Sequence, residues 1–373
     1  MASLDGSAMR AGFVLLSILL SQVVPLHGQD TVWAKSMGGT DFEQGTGVAV
    51  DAAGTVYTTG HFRGTVDFNP GPGVFNLTSA GSEDIFFTRT DSAGNFAGAL
   101  RIGGVGADYA HGLTTDAIGN IYITGIFEGT VDFDLGASIA PRTSAGGSDV
   151  FVAKYESIGR LIWARRFGGP GSDAGRDLLI DDDGNVYITG SFEGLVDFDP
   201  GSGTSVRLSN GSADIFVSKL DSAGNFIQAR TFGTEGFDIA YGIAVDSDAN
   251  EYTTGFISGV SGNQLFVQKF GSTGLLGYVR IPVRTGSVIG RDVAVDESGN
   301  AYVTGSFDGL VEFDAFSFLS TSGSQNMFVA KFNANGLTEW AHPMGSTGSD
   351  SGYGVAVDAG GNVFTTGYFS GTV

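Results

Sequence analysis

The stretch RDLLIDDDGNVYITG, residues 176–190, decides the fold. Its first five residues, 176–180, read as a short apolar strand. Asp181 to Asn185 read as a tight turn in which Gly184 takes a positive φ. Residues 186–192 (VYITGSF) follow as a second strand of β-branched and aromatic residues. Further along, 214–220 (DIFVSKL) and 226–232 (FIQARTF) flank another turn of the same chemistry, DSAGN at 221–225. The unit therefore reads as four antiparallel strands, with D-x-x-G-N hairpins closing its first and last pairs. No segment carries a sustained helical period.

The unit recurs. The aspartate opening its first hairpin stands at Asp51, Asp116, Asp181, Asp246, Asp296 and Asp358, at intervals of 65, 65, 65, 50 and 62 residues. A period of this kind marks a repeat architecture, whose units bury their faces only against one another. Four-stranded meanders of this length predict radial stacking, an all-β β-propeller, because solenoid coils usually take about 20–30 residues. Five copies are complete. The sixth, headed by Asp358, stops at FSGTV (369–373), so about six blades are visible. At the other end, TVWAKSMGG (31–39) matches the fourth strand LIWARRFGG (161–169) and is expected to complete the last blade. A strand would still be missing, so the repeat domain, 29–373, is expected to be truncated at its C terminus.

The phrases GVAVDAAGTVYTTG (47–60), DIFVSKLDSAGNF (214–226) and WARRFGG (163–169) resemble the SBBP-type β-propeller repeats of secreted bacterial proteins. The first is also similar to the NHL propeller repeat. The resemblance runs from Val32 to the end and implies an extracellular module without an assigned chemistry. The chain departs from it in its longer blades and in the missing strand.

Residues 11–26 (AGFVLLSILLSQVVPL), after Arg10 and before Gly28, predict a secretory signal peptide over 1–28. The apolar run is shorter than the roughly 20 residues needed to span a bilayer. Secretion or display at the cell surface follows as the expected localisation. The absence of cysteine excludes thiol nucleophiles, cysteine zinc sites and iron–sulfur clusters. A net charge of −21 argues against nucleic acid, which calls for a basic stripe.

Most polar residues recur from copy to copy, which marks them as scaffold. The residues that differ at one register position are His111, Arg176, Tyr241, Arg291 and Tyr353. They are expected on one ligand-binding face, beside the blade-to-blade loops and near the central channel, opposite the D-x-x-G-N hairpins. Segments of the type G-x-V-D-F-x follow the second strand, as in 129–134 (GTVDFD) and 194–199 (GLVDFD). Asp132 with Asp134, and Asp197 with Asp199, place two carboxylates on one side of an extended strand, where they offer oxygens to Ca²⁺. The competing reading is an Asp-rich turn that caps its own backbone. The copy headed by Asp246 lacks this insertion. The EF-hand-like order at Asp181, Asp183 and Asn185 fails, because Gly184 precedes Asn185 and no bidentate Glu follows. The loops GGVGAD (103–108) and GGPGSD (168–173) lead into strands, so a phosphate cradle, which needs a following helix, is disfavoured. The histidines His61, His111 and His342 come from different registers and form no triad; a metal on His61 and His111 requires the fold to bring them together.

No catalytic residue is assigned. The expected function is an extracellular binding or structural module for a polysaccharide or protein partner, with Ca²⁺ as the one cofactor considered. The competing reading is a carbohydrate-active lyase or hydrolase with carboxylates at the channel mouth. A third is a spacer for a domain beyond Val373.

Overall fold

Each D-x-x-G-N hairpin is held by its own letters. The Asp181 carboxylate accepts the Asp183 and Asn185 backbone N–H groups on Oδ1, at 3.1 and 2.8 Å. Its Oδ2 accepts the Asn185 side-chain amide at 2.8 Å and the Tyr187 hydroxyl at 3.0 Å. Gly184 supplies the left-handed corner, with φ 79°. Lys219, from the third strand, lies 4.5 Å over the Tyr187 ring and 3.5 Å from Asp181. The Asp–Tyr bond recurs at Asp51–Tyr57, Asp116–Tyr122, Asp246–Tyr252 and Asp296–Tyr302.

The computed structural model describes residues 15–16 and 33–371, apart from 137, 260–261, 315–316 and 322–323. The expected signal peptide, 1–28, lies outside the described residues except for Leu15–Leu16, which pair with Ala34–Lys35. Among the described residues there is no helix, hence none long and apolar enough to cross a membrane. Five four-stranded antiparallel sheets form the complete blades of a β-propeller. Blade 1 is Glu43–Val50, Val56–Phe62, Asp84–Thr90 and Phe96–Ile102. Blade 2 is Tyr109–Thr115, Ile121–Phe127, Asp149–Tyr155 and Leu161–Phe167. Blade 3 is Ala174–Ile180, Val186–Asp197, Val206–Leu220 and Phe226–Phe232. Blade 4 is Ile239–Val245, Glu251–Gly259, Gly262–Phe270 and Leu276–Arg280. Blade 5 is Val288–Val295, Ala301–Phe307, Asn326–Phe332 and Thr338–Met344. Ser351–Val357 and Val363–Tyr368 form a two-stranded sixth sheet.

Second strands do not alternate between core and solvent. Val56–Phe62 and Ala301–Phe307 are buried at every residue, because both faces of a blade pack on neighbours. The tyrosines Tyr57, Tyr122, Tyr187 and Tyr252 are all fully buried. The G-x-V-D-F-x insertion begins as extended strand and ends in a turn. In blade 3 it prolongs the two central strands, with Val196 and Phe198 buried and the Phe198 ring 5.1 Å from Phe216 and 5.3 Å from Phe192. In blade 4 the insertion is absent, and Gly259 pairs directly with Gly262.

First strands carry a bulge. The ladder to the second strand skips from Gly175 to Asp177, from Ala240 to Gly242, from Gly290 to Asp292 and from Gly352 to Gly354. In blade 1 it skips from Gly45 to Gly47. A bulge leaves one residue unpaired and turns its side chain out of the pleat. It also drives the first strand's carbonyl at the facing Cα. A Cβ on Gly190 would lie 1.8 Å from the Ala174 carbonyl oxygen, and one on Gly305 would lie 1.9 Å from that of Ile289.

Buried aspartates, Asp108, Asp173, Asp238 and Asp350, fasten four of the connections that lead into first strands, while Ser287 takes that place between blades 4 and 5. Asp173 accepts the Gly169 N–H at 2.8 Å and the Glu193 N–H at 2.9 Å; Asp108 and Asp350 repeat the arrangement. Outer strands carry the tryptophans. Trp163 donates to the Ser222 carbonyl at 3.1 Å, on the hairpin of the following blade. Trp33 makes the same 3.1 Å bond to Ser92, as its match to the fourth strand requires, and Trp340 stacks on His342 at 5.3 Å.

The chain divides into two units, one of Met1–Ile123, Phe127–Thr143 and Ala153–Ile162, the other of Thr124–Ile126, Ser144–Val152 and Trp163–Val373. The boundary runs through blade 2.

Gly190→Ala is expected to lower the free energy of unfolding by about 3 kcal/mol, because the methyl meets a backbone carbonyl that cannot withdraw. Gly194→Ala serves as a comparison. Its Cβ meets nothing within 4 Å, and only its φ of 73° resists the change. Urea denaturation of both variants checks the difference.

The carboxylates also set a pH dependence. Burial pushes Asp108 and Asp173 up to about 6 from an ordinary 3.8. Burial also pulls Asp181 and Asp246 upward, but the bonds from Asn185 and Tyr187, and from Asn250 and Tyr252, outweigh it and hold both below that value. A carboxyl raised in the folded state contributes fully below its unfolded pKa, and that contribution is lost as pH rises through the folded one. A lowered carboxyl does the reverse and is lost on acidification. Stability is therefore expected to peak at about pH 4–5 and to decline toward about pH 7. Urea midpoints across that range check it, and Asp173→Asn is expected to flatten the decline.

Candidate functional site

The bulge residues of the second unit are Arg176, Tyr241, Arg291 and Tyr353, four of the five positions singled out because they differ between copies. Their side chains alternate as a ladder. The Arg176 guanidinium lies 5.9 Å from the Tyr241 ring, Arg291 lies 4.4 Å from the same ring, and Arg291 lies 5.7 Å from Tyr353. Tyr353, on the sixth sheet, is 54% exposed. Burial, together with the charge of Arg291, pushes the Arg176 guanidinium below its ordinary value, against the pull of Tyr241. Arg291 makes no ion pair among the described residues, and its buried Nε has no acceptor there. A guanidinium flanked by phenol faces can take a planar anion such as a carboxylate on its outward N–H groups. His111, the fifth singled-out residue, lies on the first strand of blade 2 in the other unit.

Two aspartates beside the ladder escaped the sequence reading. Asp177 and Asp292 stand where the other first strands carry Gly47, Gly112, Gly242 and Gly354. Each spans to the next blade. Asp177 accepts the Ile243 N–H at 3.0 Å, and Asp292 accepts the Val355 N–H at 2.8 Å. Each also accepts the N–H of its own successor, Leu178 or Val293, at 2.8 Å. Burial pushes both carboxyls up, and for Asp177 the neighbouring Asp292 adds to it. The signal available was the exchange of glycine for aspartate at a single register position.

The paired acids of the insertion cap their own turns. Asp197 accepts the Asp199 and Ser205 N–H groups at 3.0 and 2.7 Å, and Asp199 accepts that of Gly201 at 2.8 Å. Asp132 and Asp134 repeat the pattern with Asp134, Ala140 and Gly136. Among the described residues no group of three or more His, Asp or Glu side chains is placed to hold a metal ion. In the GGPGSD loop the Gly169 N–H donates to Asp173 and the Asp173 N–H to the Ser148 carbonyl, so no phosphate cradle forms. His61 packs between Phe42 and Tyr109, and His342 is exposed on the fourth strand of blade 5.

Two segments, 162–191 and 275–307, match the SBBP β-propeller repeat family. An uncharacterized WD repeat-containing protein of Acanthamoeba polyphaga mimivirus is 26% identical over 248 residues, 56% of this chain and 18% of that protein. The regulatory protein FlaEY of Caulobacter vibrioides is 27% identical over 166 residues, 43% of this chain and 17% of that protein. The chain thus spans under a fifth of the length of these curated relatives. Among solved structures, a gluconolactonase of Xanthomonas campestris aligns over 90% of this chain and 86% of its own, with 14% identity and a TM-score of 0.43. Sqt1 of Chaetomium thermophilum aligns over 87% and 93%, with 11% identity and a TM-score of 0.39.

Proposed function

We propose that this repeat propeller is a secreted binding module whose partner is a polysaccharide or protein bearing carboxylates, docked along the Arg176–Tyr241–Arg291–Tyr353 ladder. The observation that carries the proposal is Arg291, a cation without an ion pair among the described residues, held between two phenol rings. The bulges support it, since they present residues that vary while the strands around them repeat. Secretion rests on the apolar run 11–26. A carbohydrate-active enzyme would need an acid and a base that reach substrate. The carboxyls nearest the ladder, Asp177 and Asp292, are partly buried and occupied by backbone N–H groups, which favours binding over catalysis.

Binding to polygalacturonate, alginate and polyglutamate at low salt tests the proposal. At least one polymer is expected to bind, with Arg291→Ala weakening it about tenfold or more and Tyr353→Ala by less. High salt is expected to weaken binding as well. Failure of all three polymers, or an Arg291→Ala variant that binds like the parent, counts against it. Repeating the assay in EGTA reads Ca²⁺ assistance at Asp132, Asp134, Asp197 and Asp199; unchanged binding assigns those carboxylates wholly to their turns.

A further inference from the structure

Blade 1 and the start of blade 2 break the repeat at four positions that the fold brings together. Where other copies carry Glu128 and Glu193 blade 1 has Arg63, and where they carry Ser148 and Ala213 it has Glu83. His61 replaces Ile126 and Ser191. Tyr109, at the start of the next blade, replaces Ala174 and Ile239. Arg63 pairs with Glu83 at 2.6 Å, and the Tyr109 hydroxyl donates to the other Glu83 oxygen at 3.2 Å. The His61 ring meets Tyr109 edge-on at 4.5 Å and stacks under Phe42 at 5.6 Å and 30°. Phe42 accepts the Arg63 N–H on its carbonyl at 2.9 Å, which sets the two side by side. The outer parts stay open. Phe42 is 45% exposed and the Arg63 side chain 50%, while His61 is 7% exposed and Glu83 is mostly covered.

An exposed aromatic ring therefore lies beside a guanidinium–carboxylate pair in which donors and acceptors sit next to each other. The Ser82 hydroxyl and Arg63 hold Glu83 down at about 2, so it stays an acceptor. Burial pushes His61 down to about 4, so the support under Phe42 is a neutral ring. The chemistry selects its ligand. A phosphate or carboxylate would meet Glu83 as well as Arg63, and the pair carries no net charge to attract it. An apolar side chain would strip water from the outward N–H groups of Arg63 without replacing its hydrogen bonds. Vicinal hydroxyls each donate and accept, and a pyranose offers an apolar C–H face next to them.

We propose that Phe42, Arg63 and Glu83, seated on His61 and Tyr109, form a subsite for one pyranose ring of a neutral polysaccharide. The proposal goes beyond the reading above: it shares only the polysaccharide class of ligand and uses none of the ladder residues.

Isothermal titration of the whole chain with cellohexaose, mannohexaose and galactohexaose tests it. At least one hexasaccharide is expected to bind, and Phe42→Ala and Arg63→Ala, both surface changes, are each expected to weaken it about tenfold or more. Arg291→Ala is expected to leave this binding unchanged, whereas Phe42→Ala is expected to leave uronate binding unchanged. No heat with any of the three sugars overturns the subsite, as does binding that survives both blade 1 substitutions. Neutral-sugar binding lost only in Arg291→Ala moves the sugar to the ladder and overturns the blade 1 assignment. Uronate binding that fails while a neutral sugar binds through Phe42 sinks the ladder alone.

Discussion

A carbonyl oxygen pressed against a Cα governs this architecture. In the first strands of blades 1, 3, 4 and 5 and of the sixth sheet one residue is squeezed out of the ladder, and the strand it leaves moves toward its neighbour until only glycine fits opposite. Gly60, Gly190, Gly255, Gly305 and Gly367 all face such a carbonyl, with Cβ clearances of 1.8 to 2.1 Å. The extruded residue no longer takes part in the pleat, so its identity is decoupled from strand register. That decoupling lets Arg176, Tyr241, Arg291 and Tyr353 differ while the flanking residues repeat.

The acidity of the chain has a structural explanation. Its aspartates act chiefly as acceptors for backbone N–H groups: at hairpin corners such as Asp181, at connections such as Asp173, in the insertion turns at Asp132 and Asp197, and between first strands at Asp177 and Asp292. Strand ends and tight connections leave N–H groups without ladder partners, and a carboxylate satisfies two or more of them at once. The same economy of acceptors works against cation binding at the paired acids, whose oxygens already hold their own turns.

The strands and hairpins were legible in the sequence because the letters that make them act locally. Asp181, Gly184 and Asn185 bond within five residues of one another, and their spacing is visible in any copy. The five complete blades, the missing insertion in the copy headed by Asp246 and the match of Trp33 to Trp163 followed from the same phrases. The candidate ladder was partly legible, since four of its register positions stood out by variation, but the bulge that aims them left no mark beyond a glycine in the facing strand. The blade 1 cluster was out of reach. His61, Arg63, Glu83 and Tyr109 lie in three different phrases, and only the pairing of strands and the packing of one blade on the next bring a tyrosine to a glutamate 26 residues before it. Asp177 and Asp292 were hidden for another reason: an acid near a hairpin aspartate reads as one more surface charge until its bonds to the next blade are seen.

The indoles have an optical consequence. Trp33, Trp163 and Trp340 are the only tryptophans, and all three occupy the outermost-strand position of the repeat. None is on a first or second strand, where the buried tyrosines and the ladder lie. Intrinsic tryptophan emission in this protein is therefore a signal from the rim. Loosening of outer strands will change it while the inner strands and their absorbance remain native, so an emission curve running ahead of far-ultraviolet dichroism would mark peeling from the edge inward.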